Sequence, residues 1–484
     1  MNPLTWSDQP WPLKCLSAAL ALWAVLHILL TKRDHPAASL GWVAIVLLLP
    51  LLGVVIYGWL GINRVQRRAR LLRAPLQSVA ASAWEPVDDP VSADIDLPMP
   101  LRPLEELGRH SSRRALTSNH HITAYHNGEQ AYPAMLAAIA AARQQVWLST
   151  YIFDTDAAGS DFIAALAAAQ QRGVQVRVLI DGVGELYAWP RASRLLRRQQ
   201  VPCARFLPLR LFPFTMYSNL RNHRKMLLID AEQGFFGGMN IGDRHVLAAG
   251  KRTARDVQFC IQGGLLRQLT ELFARDWRFV TGESLTPVTA TSEHTAAAGH
   301  KSPTLARLIP DGPDQDLDRL RMTLLGAMRA AQRDIILMTP YFIPADEIAS
   351  ALKTAALSGV RVRLLLPDRS NIAIADWAGR ALWPGLLEAG IQIHLLPPPF
   401  MHGKWLLIDD AYALLGSANI DERSLRLNYE LGVEVYDQAF VSQLQQQSEQ
   451  LLGTARRQSL EQLQQWSSWQ QLRNAAAWLA APYL

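Results

Sequence analysis

The chain has 484 residues, of which 49 % are apolar and 19 % are charged, and its formal net charge is +6. This length allows about three domains and supplies enough apolar material for a large core. Three scattered cysteines exclude a disulfide framework and indicate a reducing compartment. The small positive excess fits an anionic partner such as a nucleic acid, a phosphate ester or an acidic lipid, and equally fits ordinary solubility.

Two apolar runs dominate the N-terminus. Residues 15–31 are apolar apart from His27, and residues 37–60 carry no charge. A helix of the second run would be roughly 36 Å long, enough to cross a hydrocarbon core of about 30 Å, with a kink at Pro50. We therefore predict a transmembrane hairpin joined by a short turn at 32–36.

The arginines that follow the hairpin predict its orientation. Residues 61–73 contain five arginines and no acid, whereas the turn contains only two basic residues of this kind, Lys32 and Arg33. Because the more basic side of a membrane segment faces the cytoplasm, we expect the rest of the chain to be cytoplasmic. The same arginines either contact anionic headgroups or serve only as a topology signal. This membrane region comprises residues 1–73.

The remainder of the chain is an internal duplication. Residues 74–115, rich in proline and aspartate, predict a tether, and residues 282–304 predict a linker between two similar halves, 116–281 and 305–484. Each half repeats a strand, a helix and a strand, at 146–153, 161–172 and 173–180 and at 335–342, 345–358 and 359–366. The pattern predicts an α/β fold of two pseudo-symmetric domains, each a sheet flanked by helices. Peripheral helices are expected after Asp437.

Each half carries one copy of the pattern H-x-K-x4-D-x6-G-x2-N. One chance copy in a chain of this length has odds on the order of one in ten thousand, and two copies are far rarer. The two copies are His223, Lys225, Asp230, Gly237 and Asn240, and His402, Lys404, Asp409, Gly416 and Asn419.

These residue types predict one reaction centre built from two half-sites. Residues i and i+2 of a strand share a face, so each histidine lies beside its lysine. Lysines and carboxamides orient the oxygens of a phosphodiester, one imidazole attacks phosphorus, and the other protonates the leaving oxygen. Two later carboxylates, Asp256 and Glu430, are placed to accept the far N–H of the histidines.

The motif aspartates Asp230 and Asp409 belong to the predicted catalytic set in a supporting role. Each lies an odd number of residues from its lysine and should face the other way, paired with a neighbouring base. No phosphate-binding loop or dinucleotide-binding turn occurs in the sequence. Neither a cofactor nor a metal is expected.

These residues resemble the two HKD motifs of the phospholipase D superfamily. The likeness extends through the run Gly-Ser-Ala-Asn-Ile-Asp-Glu-Arg-Ser at 416–424 and through Asn428, Tyr429 and Glu430. Together with the two-span N-terminus, the chain resembles the bacterial cardiolipin synthases of the HKD type. The resemblance implies a multi-pass protein of the bacterial inner membrane, with anionic phospholipid as its partner and no nucleic acid.

The resemblance also implies a reaction. A phosphatidyl group passes from one phosphatidylglycerol to another through a phosphatidyl-histidine on His223, with His402 as acid and base, and glycerol is released. The phosphate is then held by Lys225, Lys404, Asn240, Asn419 and Ser417. The first motif departs from the pattern, because Gly238 stands where the second has Ser417.

Three other functions stay open from the sequence. A hydrolytic phospholipase D would use the same residues with water as acceptor and release phosphatidic acid. A phosphodiesterase acting on nucleic acid would need a basic tract that the chain lacks. A non-catalytic membrane scaffold would not need two intact motifs. Tyr151 and Tyr341, which end matching strands, either line a lipid entrance or belong to the core.

Overall fold

The computed structural model describes residues 10–31, 36–58, 97–118, 120–209, 219–250, 253–288 and 304–483. The chain divides into two compact units, Met1–Arg68 and Ala69–Leu484. The arginine-rich segment 61–73, the turn 32–35 and most of the predicted linker lie outside the described residues.

The described residues of the first unit form three apolar helices: α1 Trp11–Thr31, α2 Pro36–Leu48 and α3 Pro50–Ile56. Within the described residues, one stretch, Trp11–Leu30, is long and apolar enough to cross a membrane. The second predicted span is divided at Leu49, because Pro50 starts a new helix. The helices pack on one another, and His27 Nδ1 lies 2.8 Å from the Tyr57 hydroxyl. Of the two predicted spans, the described residues therefore contain one as a continuous membrane-length helix.

The second unit is an α/β body whose two halves have equivalent sheets. Its strands are β1 His121–His126, β2 Gln145–Thr150, β3 Gln175–Asp181, β4 Cys203–Phe206, β5 Arg221–Asn222, β6 Met226–Ile229, β7 Gln233–Gly237, β8 Ala254–Arg255, β9 Val257–Gln262, β10 Leu305–Asp311, β11 Asp334–Met338, β12 Phe342–Ile343, β13 Arg361–Pro367, β14 Gln392–Leu396, β15 Phe400–Met401, β16 Trp405–Ile408, β17 Tyr412–Gly416, β18 Ile420–Asp421, β19 Asn428–Tyr436 and β20 Arg456–Gln458.

The helices of the body cover both faces of these sheets. They are α4 Arg102–Ser112, α5 Asn127–Ala141, α6 Ala157–Gln171, α7 Ala192–Arg198, α8 Leu265–Thr281, α9 Arg319–Ala330, α10 Asp346–Leu357, α11 Ala373–Arg380, α12 Trp383–Glu388, α13 Glu422–Arg426, α14 Gln438–Thr454, α15 Leu460–Gln464 and α16 Ser468–Trp478.

The strand orders confirm the duplication. The first sheet runs β1-β9-β7-β6-β2-β3-β4 and the second β10-β19-β17-β16-β11-β13-β14-β20. In both, two parallel crossovers follow the first central strand, and an antiparallel hairpin carries the motif. The central strands are buried on both faces, as strands covered by helices on each side must be.

One part of the predicted tether is not a linker. Helix α4 lies inside residues 74–115, and its Leu104 is 1 % exposed within the core of the second half. The strongly amphipathic sequence of this helix, with Leu101 buried just before it, explains the packing. The prediction from proline and acid content therefore placed the end of the tether too late in the sequence. Residues 74–96 lie outside the described part.

Candidate active site

The two half-sites are interleaved through short parallel strands. β5, which leads into His223, pairs with the start of β19 in the other half, and the His223 N–H donates to the Tyr429 carbonyl at 2.9 Å. In the same way β15, which leads into His402, pairs with β8, and the His402 N–H donates to the Arg255 carbonyl at 2.7 Å. Each histidine is thus attached to the segment that carries the opposite half's acid.

Crossed hydrogen bonds follow from this pairing. His223 Nδ1 lies 3.0 Å from Glu430 Oε2, and His402 Nδ1 lies 2.6 Å from Asp256 Oδ2. Since a carboxylate only accepts, each Nδ1 carries the proton and each Nε2 keeps its lone pair. The two imidazole side chains are 12 % and 13 % exposed, whereas both carboxylates are fully buried. Both histidines are therefore held in one tautomer with Nε2 available for chemistry.

The two lysines fold back onto their own histidines. Lys225 Nζ donates to the His223 carbonyl at 2.7 Å, and Lys404 Nζ donates to the His402 carbonyl at 2.6 Å. Lys404 Nζ also lies 3.2 Å from His402 Nε2 and 3.3 Å from its Nδ1, whereas His223 Nε2 has no hydrogen bond to any described residue. The half-sites thus differ at the nitrogen that would react.

Burial and mutual charge set the protonation states. Burial lowers the pKa of His223 to about 4 and that of His402 to about 3, and the lysines add to both effects. Burial also lowers the pKa of Lys404 to about 8 and that of Lys225 well below its ordinary value. Burial raises the pKa of Asp256 and Glu430, but their histidines outweigh it and both stay ionised. At neutral pH both imidazoles are neutral, and Lys404 is charged.

Asp230 and Asp409 follow β6 and β16, whereas the histidines precede these strands, and the partners of the two aspartates are not the expected bases. The Asp230 carboxylate accepts from three consecutive backbone N–H groups at 143–145, just before β2. Asp409 accepts from the equivalent N–H groups at 332–334. Backbone amides that begin a strand lack ladder partners there, and a carboxylate satisfies three of them at once. Both aspartates therefore support the sheet rather than the reacting atoms.

Ser417 does not face an open phosphate position. Its hydroxyl is fully buried and donates to Glu430 Oε2, and it accepts from the Leu431 N–H at 3.0 Å. The geometry corrects the expectation that this hydroxyl binds phosphate: it holds the acid that orients His223. At Gly238, the equivalent position, an added Cβ would lie 3.0 Å from Asp256 Oδ1 and 3.1 Å from Lys404 Nζ. Asp256 therefore lacks a matching hydroxyl.

The two motif asparagines occupy equivalent turns after β7 and β17. Asn240 Oδ1 accepts from the Ile152 N–H at 3.1 Å, which leaves its NH2 group for another partner. Asn419 is 7 % exposed, and its Oδ1 has no hydrogen-bond partner among the described residues. Both carboxamides keep part of their hydrogen-bonding capacity unused, as groups that bind a ligand would.

Two residues of the site escaped the sequence reasoning. Arg224, between His223 and Lys225, is fully buried; it forms a bidentate ion pair with Asp276 and donates to the Glu430 carbonyl at 2.9 Å. The second motif has Gly403 at this position, where a Cβ would lie 2.6 Å from Met338. The presence of arginine in one copy and glycine in the other was the only feature of the sequence that indicated a role for Arg224.

His245 is the second missed residue. It is 2 % exposed, its Nε2 accepts from the Asn240 N–H at 3.3 Å, and its Nδ1 lies 3.8 Å from Asp256 Oδ2. Burial lowers the pKa of His245 to about 4, so it is neutral. In the second copy the same motif position is Ser424. A histidine five residues after the motif asparagine in one copy alone could have drawn attention.

The aromatic residues that end the matching strands border the histidines. The Tyr151 ring meets His223 edge-on at 5.2 Å, and Lys225 Nζ lies 5.5 Å from the same ring. Tyr341 lies 6.1 Å from Phe400, which in turn lies 6.1 Å from His402. Tyr151 thus borders the site directly, and Tyr341 borders it through Phe400.

Comparison with known proteins agrees with this geometry. A family profile described as "Cardiolipin synthase, PLD-like domain" matches residues 135–277 and 324–452, and one described as "Phospholipase_D-nuclease N-terminal" matches residues 19–61. A cardiolipin synthase of Geobacillus kaustophilus is 33 % identical over 429 residues, covering 87 % of this chain and 84 % of that protein. The chain belongs to the phospholipase D-like cardiolipin synthase family.

Further relatives extend over nearly the whole chain. The major cardiolipin synthase of Bacillus subtilis is 27 % identical over 487 residues, covering 97 % of this chain and 99 % of that protein. Among solved structures, a phosphatidylserine synthase of Haemophilus influenzae has a TM-score of 0.61 at 16 % identity and covers 79 % of this chain and 100 % of that one. At that identity the structural likeness supports the fold alone. The family members are phosphatidyltransferases of the phospholipase D superfamily.

Proposed function

We propose that this enzyme makes cardiolipin and glycerol from two phosphatidylglycerol molecules by a double displacement at the crossed histidine pair. The observation that carries the proposal is that each histidine donates Nδ1–H to a buried carboxylate of the other half. This arrangement leaves both Nε2 atoms free of the carboxylates, and each half supplies the acid that orients the other half's histidine.

In the first step His223 Nε2 attacks phosphorus, and the bond from phosphorus to the glycerol headgroup breaks. His223 is the better nucleophile of the pair because its Nε2 has no hydrogen bond to a described residue. The departing glycerol oxygen takes a proton from His402 Nε2. His402 is neutral in the free enzyme, so Lys404, 3.2 Å from Nε2, first passes a proton to that nitrogen; the bound phosphodiester anion favours this transfer because it offsets the lysine charges and raises the pKa of His402.

In the second step the phosphatidyl group leaves His223. A glycerol hydroxyl of the second lipid gives its proton to His402 Nε2, its oxygen attacks phosphorus, and the phosphorus–nitrogen bond breaks. His402 then returns the proton to Lys404, which restores the starting state. One phosphodiester has replaced another, so the reaction does not need an activated phosphatidyl donor. Lys225, Lys404, Asn240 and Asn419 hold the phosphate oxygens and stabilise the added charge in the pentacoordinate states.

Product analysis tests this function. Purified full-length enzyme in phosphatidylglycerol bilayers, without nucleotide, should release cardiolipin and glycerol in equal amounts. Phosphatidic acid as the main product would replace the proposal with the hydrolytic alternative, in which water takes the place of the second lipid. Cleavage of nucleic acid, with no lipid product, would contradict both.

We also propose that the N-terminal helices form a two-pass anchor with the body in the cytoplasm at the bacterial inner membrane. Support comes from the packing of α1 against α2 and α3 and from the basic residues of 61–73. Alkaline phosphatase fused after Leu484 should be inactive, and a fluorescent protein fused there should fluoresce. The opposite pair of results would contradict the orientation.

A further inference from the structure

The loop that follows β3 exposes three large apolar side chains. Leu186, Tyr187 and Trp189 are 46 %, 64 % and 82 % exposed, close together in sequence. Single exposed apolar residues are ordinary, but a contiguous group on a folded body marks a contact surface. Trp and Tyr in particular favour the boundary between water and lipid, where their polar and apolar parts are both satisfied.

A cationic groove lies beside this loop. Its lining includes five arginines: Arg191, Arg194, Arg197, Arg198 and Arg205. Arg205 lies 3.8 Å from the buried Glu185; the other four form no ion pair with any carboxylate in the described part of the chain. The groove therefore carries uncompensated positive charge and is complementary to phosphate groups.

The loop is physically connected to the His223 side of the active site. The Asp181 carboxylate accepts from the Gly184 N–H within the loop and from the Asn222 N–H, immediately before His223. An added Cβ at Gly184 would lie 1.8 Å from the carbonyl oxygen of Tyr151, the residue whose ring meets His223. The loop therefore begins at the same edge of the sheet as the reacting histidine.

A second apolar border lies on the Tyr341 side. The Tyr341 hydroxyl donates to Asn371 at 2.6 Å, and the next residues include Ile372, 45 % exposed. Helix α16 packs on α11 through the buried Ala477 but leaves Trp469 and Leu472 70 % and 61 % exposed. These two residues are three apart and share one helix face. The C-terminal helix thus packs on the body and presents an apolar face to the outside.

We propose that these borders form a docking rim, comprising the loop 182–191, helix α7 with Arg205, and the exposed face of α11 and α16, and that its partner is an anionic lipid bilayer. Aromatic and aliphatic side chains enter the headgroup boundary while the arginines bind lipid phosphates. A nucleic acid would satisfy the arginines but would leave Leu186, Ile372 and Leu472 without a partner. The inference rests on the proposed function, because docking brings lipid headgroups to the histidines.

Hydrogen exchange on the full-length enzyme tests the rim directly. The protein is reconstituted in vesicles of phosphatidylglycerol and phosphatidylcholine at 3:7, and in vesicles of phosphatidylcholine alone. Peptides covering 182–198 should exchange about tenfold more slowly with the anionic lipid, and 0.5 M salt should remove most of that difference. Equal exchange in both vesicles would overturn the proposal, as would protection by single-stranded DNA but not by anionic vesicles.

A charge-reversal set with a matched control tests the consequence for catalysis. The variant Arg194→Glu/Arg197→Glu/Arg198→Glu should turn over dilute phosphatidylglycerol in bilayers at least about tenfold more slowly, since each basic residue near an anionic surface contributes severalfold. Its rate on monomeric short-chain phosphatidylglycerol should be unchanged. The control, Arg143→Glu/Arg329→Glu/Arg457→Glu, makes the same charge change at other exposed positions and should behave as wild type on both substrates.

The outcomes separate the rim from the reaction. Equal losses on bilayer and monomeric substrate, or equal losses in the two triple variants, would overturn the rim. An enzyme that releases only phosphatidic acid would overturn the proposed transfer, yet the exchange difference at 182–198 would remain and would still support docking.

Discussion

The two half-sites share a backbone plan and differ in how the orienting acid is held. Glu430, which orients His223, accepts a hydrogen bond from the buried Ser417 hydroxyl. Asp256, which orients His402, lies beside Gly238 and has His245 nearby. The lysine differs too, because only Lys404 lies within hydrogen-bonding distance of its imidazole Nε2. Duplication supplied two equivalent histidines, and the surrounding residues have made them unequal. This inequality supports the proposed roles, in which His223 forms the bond to phosphorus and His402 transfers the proton.

Replacing either histidine should have the largest effect and should separate the two roles. His223→Ala and His402→Ala should each lower turnover of phosphatidylglycerol by about 10⁴-fold or more. With a phosphatidyl p-nitrophenyl ester, whose leaving group needs no proton, His402→Ala should still give a burst of about one nitrophenolate per enzyme. His223→Ala should give none. A burst from His223→Ala alone would reverse the assignment.

The crossed carboxylates provide the next test. Glu430→Gln and Asp256→Asn should each lower kcat by about 10² to 10⁴-fold, because an amide does not fix the tautomer of its histidine. If pairing is crossed, the burst with the nitrophenyl ester survives in Asp256→Asn and is lost in Glu430→Gln. The reverse result would mean that each acid serves the histidine of its own half.

The pH profile of kcat/KM should report two groups whose pKa burial lowers. One acts in its neutral form and the other in its charged form. His223 must be neutral to attack, so activity should rise as pH passes about 4; Lys404 must be charged to bind phosphate, so activity should fall above about pH 8. Measurements between pH 3.5 and 9.5 cover both limbs. Lys404→Arg should lose the alkaline limb, and a limb that persists unchanged in this variant would assign it to another group.

Replacing His245 should lower turnover moderately, whereas replacing Ser424, its counterpart in the second motif, should not. His245→Leu leaves the buried Asn240 N–H without an acceptor, which typically costs about 1–3 kcal/mol, and kcat should fall by roughly tenfold with little change in KM. His245→Gln, which can still accept, should recover most of the rate. Ser424→Ala is the matched control, because Ser424 occupies the equivalent position of the second motif. Equal losses at both positions would make the asymmetry irrelevant to catalysis.

Local patterns predicted the repeated sheets and the residues of the site, because strand periodicity and motif spacing are properties of contiguous sequence. The crossing was not predictable: Glu430 reaches His223 only because β5 pairs with β19, a contact between residues some two hundred positions apart. The Ser417 hydroxyl was misplaced for the same reason, since its partner is set by tertiary packing. The partners of Asp230 were missed because backbone amides carry no signature in the sequence.

The two structural aspartates should mark where the halves remain equivalent. Asp230→Ala and Asp409→Ala each remove the acceptor for three backbone N–H groups and should lower the free energy of unfolding by similar amounts, about 1–3 kcal/mol. Thermal unfolding in detergent measures this, and the Asn variants, which keep one acceptor oxygen, should lose less. Turnover per folded molecule should stay within about twofold of wild type. A large loss of turnover in folded Asp230→Ala, but not in Asp409→Ala, would give Asp230 a role in catalysis. The two halves would then differ in the sheet as well as at the histidines.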